Sequence, residues 1–254
     1  MAHEINFSEK AGVRYLHFGS TWVQGAMRLA RPDALELAYT REMMACLLLR
    51  DELTWPRRCL QIGLGAASLS RFIARYLPET ISKVVEINPA VVAMASQYFK
   101  LPAQSTHFQI DIADGADYMV NPRHNAEKFD VIFVDGFGAD ARPGRLDLPD
   151  FYTACRERLS SNGVLVCNLL GRSKGFLASA ERLHQAFAGR SLVFPSCDSG
   201  NAIAFAAVGD NIHIALSELR EKAEALKQLT GLDLLPTITR LQNSATCQGG
   251  VLHL

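Results

Sequence analysis

Between residues 58 and 168 this chain alternates five short apolar runs with stretches of helical spacing, and that alternation limits its fold more than any other feature. The runs are Arg58–Ile62, Lys83–Glu86, Thr106–Ile110, Asp130–Val134 and Gly163–Asn168. Helical stretches fill the gaps at Ser68–Tyr76, Pro89–Phe99, Gly115–Met119 and Leu148–Leu159, with Pro89 suited to a first helical turn. Strands that are apolar along their whole length must be covered on both faces. The pattern therefore predicts an α/β chain built on a doubly wound parallel sheet. Ligands of such sheets bind beyond the carboxyl ends of the strands.

The residues at those ends are informative. The first run enters Gly63-Leu64-Gly65, and the second stops at Glu86. Glycines let backbone N–H groups approach a ligand closely, and the helix that follows aims its positive N-terminus at the same place. A carboxylate about 20 residues further on, at the end of the next strand, is placed to accept the hydroxyls of a ribose. The third run leads to Asp111 and to Asp114-Gly115, the fourth to Asp135-Gly136, and the fifth to Asn168. Asp114 reads equally as a helix N-cap and as an acceptor for an adenine amino group. Asp111 divides in the same way between a solvated turn residue, the favoured reading, and an acceptor for the ligand. Asp135 follows a strand expected to be buried on both faces, so it reads as a carboxylate facing a cationic ligand, with a turn alongside Gly136 as the other reading. The loop 136–149 has the length of a binding loop and carries Asp140, Arg142 and Asp147, with Asp150 following; each reads singly as a solvated charge. Tyr152 reads as core, its hydroxyl within reach of the cleft rim.

The flanking segments differ in character. Residues 5–29 alternate as short strands, Ile5–Phe7, Val13–Phe18 and Trp22–Met27, which predicts a small N-terminal antiparallel sheet. A buried helix is expected over Ala34–Arg50. Beyond the fifth run come a helix at 176–189, an antiparallel pair at Ser191–Pro195 and Asn201–Val208, a final helix at Leu216–Leu229, and a polar, loose stretch at Gln242–Gly250. The expected division is 1–50 for the β-sheet domain with its connecting helix, 51–235 for the catalytic domain and 236–254 for a C-terminal tail.

The 26 basic residues balance the 26 acidic ones over 254 residues, so no global field favours nucleic acid or a membrane surface; a small-molecule partner is expected. Six cysteines are scattered, with no Cys-x-x-Cys pair, and no His/Cys cluster has metal-ligand spacing, so no metal is expected. Buried thiols, no signal-like N-terminus and no apolar stretch long enough to span a bilayer give the expectation of a soluble, cytoplasmic protein. Gly-x-Ser-x-Gly and Walker motifs are absent, and His17, His107, His124, His184 and His213 have no nucleophile beside them, which argues against hydrolase and NTPase chemistry.

Over about Val13 to Ala207 the chain resembles the spermidine/spermine synthases, the polyamine aminopropyltransferase family. The pieces that carry the resemblance are Arg14-Tyr15-Leu16, Gln24, Tyr39-Thr-Arg-Glu42, Gly63-Leu-Gly65, Val85-Glu86-Ile-Asn-Pro, Asp114-Gly115, Phe129 to Asp135, Asp150-Phe-Tyr152 and Gly163-Val-Leu-Val. The resemblance implies a Rossmann-like, S-adenosylmethionine methyltransferase-type sheet behind the small β domain, in a homodimer. It implies transfer of an aminopropyl group from decarboxylated S-adenosylmethionine to a diamine such as putrescine. Gly63, Gly65, Glu86, Asp114 and Gly115 would then hold the nucleoside, with Glu86 on the ribose and Asp114 on the adenine. Asp135 would serve the amine or sulfonium as the catalytic carboxylate, and Gln24 and Tyr39 would close the substrate side.

Three departures accompany the likeness. The family's glycine-rich loop is here Gly63-Leu-Gly65-Ala-Ala-Ser. A second carboxylate after Asp135 is replaced by Gly138, with Asp140 the nearest substitute. The family's Tyr-His-Glu segment becomes Tyr39-Thr-Arg-Glu42, which brings in Arg41. An arginine suits the carboxylate of ordinary S-adenosylmethionine, so methyl transfer on the same scaffold is the alternative, followed by a non-catalytic nucleoside-binding protein. A dehydrogenase is disfavoured, because Ser68 stands where its fingerprint needs a third glycine.

Overall fold

The computed structural model describes residues 4–51, 54–124, 126–136, 144–170, 175–194, 200–242 and 245–254. Three strands open the chain, β1 (Ile5–Lys10), β2 (Val13–Phe18) and β3 (Gly25–Arg28), paired antiparallel in the order β1-β2-β3. A short helix, α1 (Ala38–Met43), runs into a tighter 3-10 turn at Met44–Leu48 where one continuous helix over 34–50 was expected. This segment is buried almost all round, so its apolar residues define no single face that would set a helical period.

The alternation then folds as the sequence predicts. It gives β4 (Arg58–Ile62), α2 (Ser68–Tyr76), β5 (Ile81–Glu86), α3 (Pro89–Tyr98), β6 (Phe108–Ile112), α4 (Gly115–Val120), β7 (Phe129–Val134), α5 (Pro149–Arg158), β8 (Leu159–Leu170), α6 (Phe176–Ala186), β9 (Ser191–Val193) and β10 (Asn201–Ala207). These strands form one 7-stranded sheet in the order β6-β5-β4-β7-β8-β10-β9. β4 to β8 run parallel, while β10 pairs antiparallel with both β8 and β9. Helices cover both faces. Val131, Phe133, Val166, Ile203 and Phe205 lie in a core with α1, α2 and the C-terminal helices; Ile132, Val134, Leu165 and Ala204 lie in another with α4, α5 and α6.

The C-terminal segment corrects the expectation of a last helix followed by a loose stretch. β11 (His213–Ala215) and α7 (Leu216–Thr230) are followed by α8 (Leu235–Gln242) and β12 (Val251–His253), which pairs with β11. Leu241, Cys247, Leu252 and Leu254 are buried in the same core as α1. Burying those apolar side chains offsets the polarity of 242–250.

The front sheet docks on the glycine loop through backbone. A Cβ placed on Gly25 of β3 would lie 2.6 Å from the Cβ of Ala66 and 2.9 Å from its nitrogen. Gly25→Ala is therefore expected to destabilise the chain by about 2 kcal/mol, since neither partner can yield without moving backbone. Adding Ala66→Gly should restore part of that loss, and urea titration of the three chains measures both effects.

Candidate active site

The sheet order reverses between β4 and β7, because β5 lies on one side of β4 and the later strands lie on the other. Such a switch point opens a crevice at the carboxyl ends of its strands. Gly63 and Asp135 leave the two strands there, joined by a hydrogen bond from the Asp135 amide to the Ile62 carbonyl at 2.9 Å. Gly63 has φ +94°, and a Cβ on it would come within 2.3 Å of the Asp135 carbonyl oxygen, so only glycine lets these backbones approach. The loop needs left-handed backbone again at Gly65 and, against the usual preference, at Ala67, with φ +52° and +55°. Arg71, 2 % exposed, pins this loop from behind: its guanidinium donates to the carbonyls of Ala66, Phe99 and Pro32, and burial lowers its pKa to about 10.

Glu86 closes the loop from the side. One of its oxygens accepts the Leu64 N–H at 2.9 Å and the other the Asn88 N–H at 2.9 Å. Glu86 is 7 % exposed, and burial raises its pKa while the backbone N–H groups of Asn88, Leu64 and Ile87 pull it down. A carboxylate has about four acceptor sites, so lone pairs remain on both oxygens. At the next strand end Asp114 caps α4, its Oδ1 accepting from Ala116 and Asp117 at 2.8 and 3.1 Å. Its Oδ2 faces the Arg145 guanidinium at 3.4 Å. The N-cap reading of Asp114 thus holds, and the second oxygen lies outside the cap. Gly115 lets α4 sit against β4, since a Cβ there would meet the Ile62 side chain at 2.4 Å.

On the sheet face that carries Phe133 and Val166, polar groups take over at the strand ends. Asp135, half-buried, accepts the Tyr39 hydroxyl on Oδ2 at 3.1 Å and the Asn168 amide on Oδ1 at 2.8 Å. Burial pushes its carboxyl above the usual range, opposed by these two hydrogen bonds. Burial likewise pushes the Tyr39 hydroxyl well up, helped by the neighbouring Asp135 charge, so Tyr39 stays a donor. Gln24 lies just before β3, its carbonyl 3.4 Å from the position of a Cβ on Gly65. Several of the residues singled out in the sequence are neighbours at these strand ends: Leu64 donates to Glu86, the Gly63 backbone lies against that of Asp135, and Tyr39 donates to Asp135.

Arg41 does not join them. It follows Tyr39 by two helical positions, which turns it to the far side of α1. Its guanidinium donates to the carbonyls of Leu35 and Glu36 at 3.1 and 2.7 Å, and its charge acts on Asp233 and Arg240. Asp147 is not the solvated charge the sequence suggests: it accepts the Tyr152 hydroxyl at 2.9 Å and the Ser179 hydroxyl at 2.8 Å, and it pairs with Arg182. The Tyr152 hydroxyl is thereby held inside the core. Asp150 is exposed in the first turn of α5. Gly138, Asp140 and Arg142 lie outside the described residues. Sequence reasoning placed Asn168 among the polar groups at the ligand edge without giving it a role, and passed over Asn201. The signal available was an amide at the end of one apolar run and at the start of another.

No family model matches the chain. It is 38% identical over 251 residues to a polyamine aminopropyltransferase of Neisseria meningitidis serogroup B, covering 99% of this chain and 94% of that protein. The chain belongs to the polyamine aminopropyltransferase family. Its fold matches a probable spermidine synthase from Corynebacterium glutamicum with a TM-score of 0.69 at 16% identity, over 90% of this chain and 91% of that one. Human methyltransferase-like protein 13, solved in complex with SAH, matches with a TM-score of 0.69 at 27% identity, over 77% of this chain and 93% of that one. In this chain the glycine loop is seated on the front sheet, with Ala66 against Gly25.

Proposed function

We propose that this enzyme transfers the aminopropyl group of decarboxylated S-adenosylmethionine to an amine such as putrescine, releasing methylthioadenosine. The observation that carries the reading is the half-buried Asp135 carboxylate at the switch point, accepting from two neutral donors, so that its negative charge is left for a cation. The remaining lone pairs of Glu86 would take ribose hydroxyls, and Asp114 Oδ2 would take the adenine amino group once Arg145 gives way. Gln24 and Tyr39 would line the amine side. An alkylammonium with a pKa near about 10 must lose a proton before it can attack. Asp135 binds it, accepts that proton and aligns the nitrogen with the carbon next to the sulfonium. The new N–C bond forms as the C–S bond breaks, and its electron pair leaves on a neutral thioether sulfur.

The finer points of the reading are a homodimer, as the resemblance implies, and a cytoplasmic enzyme, as the scattered cysteines suggest. Sedimentation of the purified chain tests the first. For the chemistry, the chain is incubated with putrescine and either decarboxylated or ordinary S-adenosylmethionine. Methylthioadenosine and spermidine from the decarboxylated compound are the expected products. A methylated amine from ordinary S-adenosylmethionine would replace this reading with methyl transfer, for which the likeness to human methyltransferase-like protein 13 is weak support. Removal of Arg41 to the far side of α1 argues against it.

Glu86→Gln is expected to weaken binding of methylthioadenosine by about thirtyfold, the loss of about 2 kcal/mol in hydrogen bonds to a charged group. Calorimetry on the purified variant measures it.

A further inference from the structure

We infer that Asn168 and Asn201 form an amide relay that fixes the orientation of the Asp135 carboxylate toward the amine, acting as positioning residues for the reaction. This rests on the reading that Asp135 meets the amine.

The register brings the three together. Val134 pairs with Cys167 across the parallel β7–β8 ladder, which sets Asp135 beside Asn168. Asn168 pairs with Ile203 across the antiparallel β8–β10 ladder, so Asn201, two residues from Ile203, is its diagonal neighbour on the same face. The Asn201 Nδ2 donates to the Asn168 Oδ1 at 2.8 Å, and the Asn168 Nδ2 donates to the Asp135 Oδ1 at 2.8 Å.

The direction of this chain matters. A primary amide can turn over and present either its oxygen or its NH2 group to a neighbour. An oxygen turned toward Asp135 would repel the carboxylate. The Asp135 carboxylate only accepts, which sets the Asn168 NH2 toward it, and the donor that Asn201 offers to the Asn168 oxygen holds the amide in that same orientation. The Tyr39 hydroxyl fixes the second carboxylate oxygen from α1 at 3.1 Å. Among the described residues Tyr39 is the titratable group facing Asp135, and no ion pair reaches it. Both oxygens are thus located by neutral donors. A lysine or arginine in the place of Asn168 would hold the carboxylate equally well but would cancel the charge that the ammonium needs. Asn168 is 6 % exposed, so water is a poor substitute for either amide.

The test reads Asp135 directly. Its carboxyl carbon is followed by NMR across a pH titration of the intact protein labelled with carbon-13 aspartate, and the signal is assigned by its loss in Asp135→Asn. Asn168→Leu, close to isosteric, should raise the titration midpoint by about one pH unit, the equivalent of one lost hydrogen bond to the ionised form. Asn201→Leu does not touch Asp135, yet it should move the midpoint in the same direction by a smaller amount. It should also lower kcat more than it raises KM for the amine, with methylthioadenosine binding unchanged. A midpoint unmoved in Asn201→Leu, or a uniform loss of activity at every pH, would overturn the relay. Asn168→Ala and Asn201→Ala read the same midpoint should a leucine variant fail to fold. The titration needs no turnover, so absence of aminopropyl transfer by the parent chain would reject the proposed reaction separately.

Discussion

Asp135→Asn is expected to lower kcat/KM for the amine by about a thousandfold, within the usual range for loss of an acid–base group. The side chain keeps its shape and loses both the charge that holds the ammonium and the site that takes its proton. Methylthioadenosine binding should persist, because Glu86 and the glycine loop are untouched; steady-state kinetics beside calorimetry separates the two effects. The same variant should be more stable than its parent near neutral pH. Burial holds the folded-state pKa of Asp135 above the ordinary carboxylate value. A carboxyl raised on folding contributes stability below its unfolded pKa and loses that contribution as pH rises through the folded one. At neutral pH the parent therefore carries a charge that folding disfavours, and asparagine removes it. The gain in Tm should shrink as the pH falls through the carboxylate range. In kcat/KM the corresponding sign is an acid limb above the usual carboxylate pKa, since protonated Asp135 cannot hold the ammonium.

The second large effect concerns Glu42, in the turn of α1 that follows Tyr39. Its side chain is 2 % exposed and is paired with Arg240 of α8, which is 36 % exposed. Truncating the exposed partner does the greater damage, because it leaves the charge of Glu42 buried with no cation beside it. Arg240→Met keeps much of the aliphatic stem and should cost about 3 kcal/mol in urea unfolding. Glu42→Leu alone leaves an arginine that water can reach, so its loss should be smaller. Combining the two should recover most of the stability, since a buried pair replaced by apolar side chains of similar size is often neutral. A double variant as weak as Arg240→Met would show that the ion pair is not the source of the loss.

The parts of the fold legible in the sequence are those bounded by local chemistry. β4 and α2 match their expected limits of Arg58–Ile62 and Ser68–Tyr76, because a glycine loop separates a continuous apolar run from an amphipathic one. The insertion of β10 between β8 and β9 was not legible in the same way, since lateral order is set by pairing between distant segments. Glu86 and Asp135 stood out because a carboxylate following a buried strand needs a partner. Arg41 was misplaced because composition reports a charge but not the side of a six-residue helix on which it falls. Asn201 escaped notice, and its link to Asn168 with it, because the contact between them joins residues 33 apart across an antiparallel register.

The seat of Ala66 against Gly25 bears on how such enzymes can be recombined. Here the methyl of Ala66 fills the space that a missing side chain on β3 leaves open. A glycine-richer loop transplanted alone would leave a gap there, and a front sheet from a relative with a larger residue at position 25 would not close over this one. Positions 25 and 66 fit one another sterically, and a chimera built on this chain has to carry both.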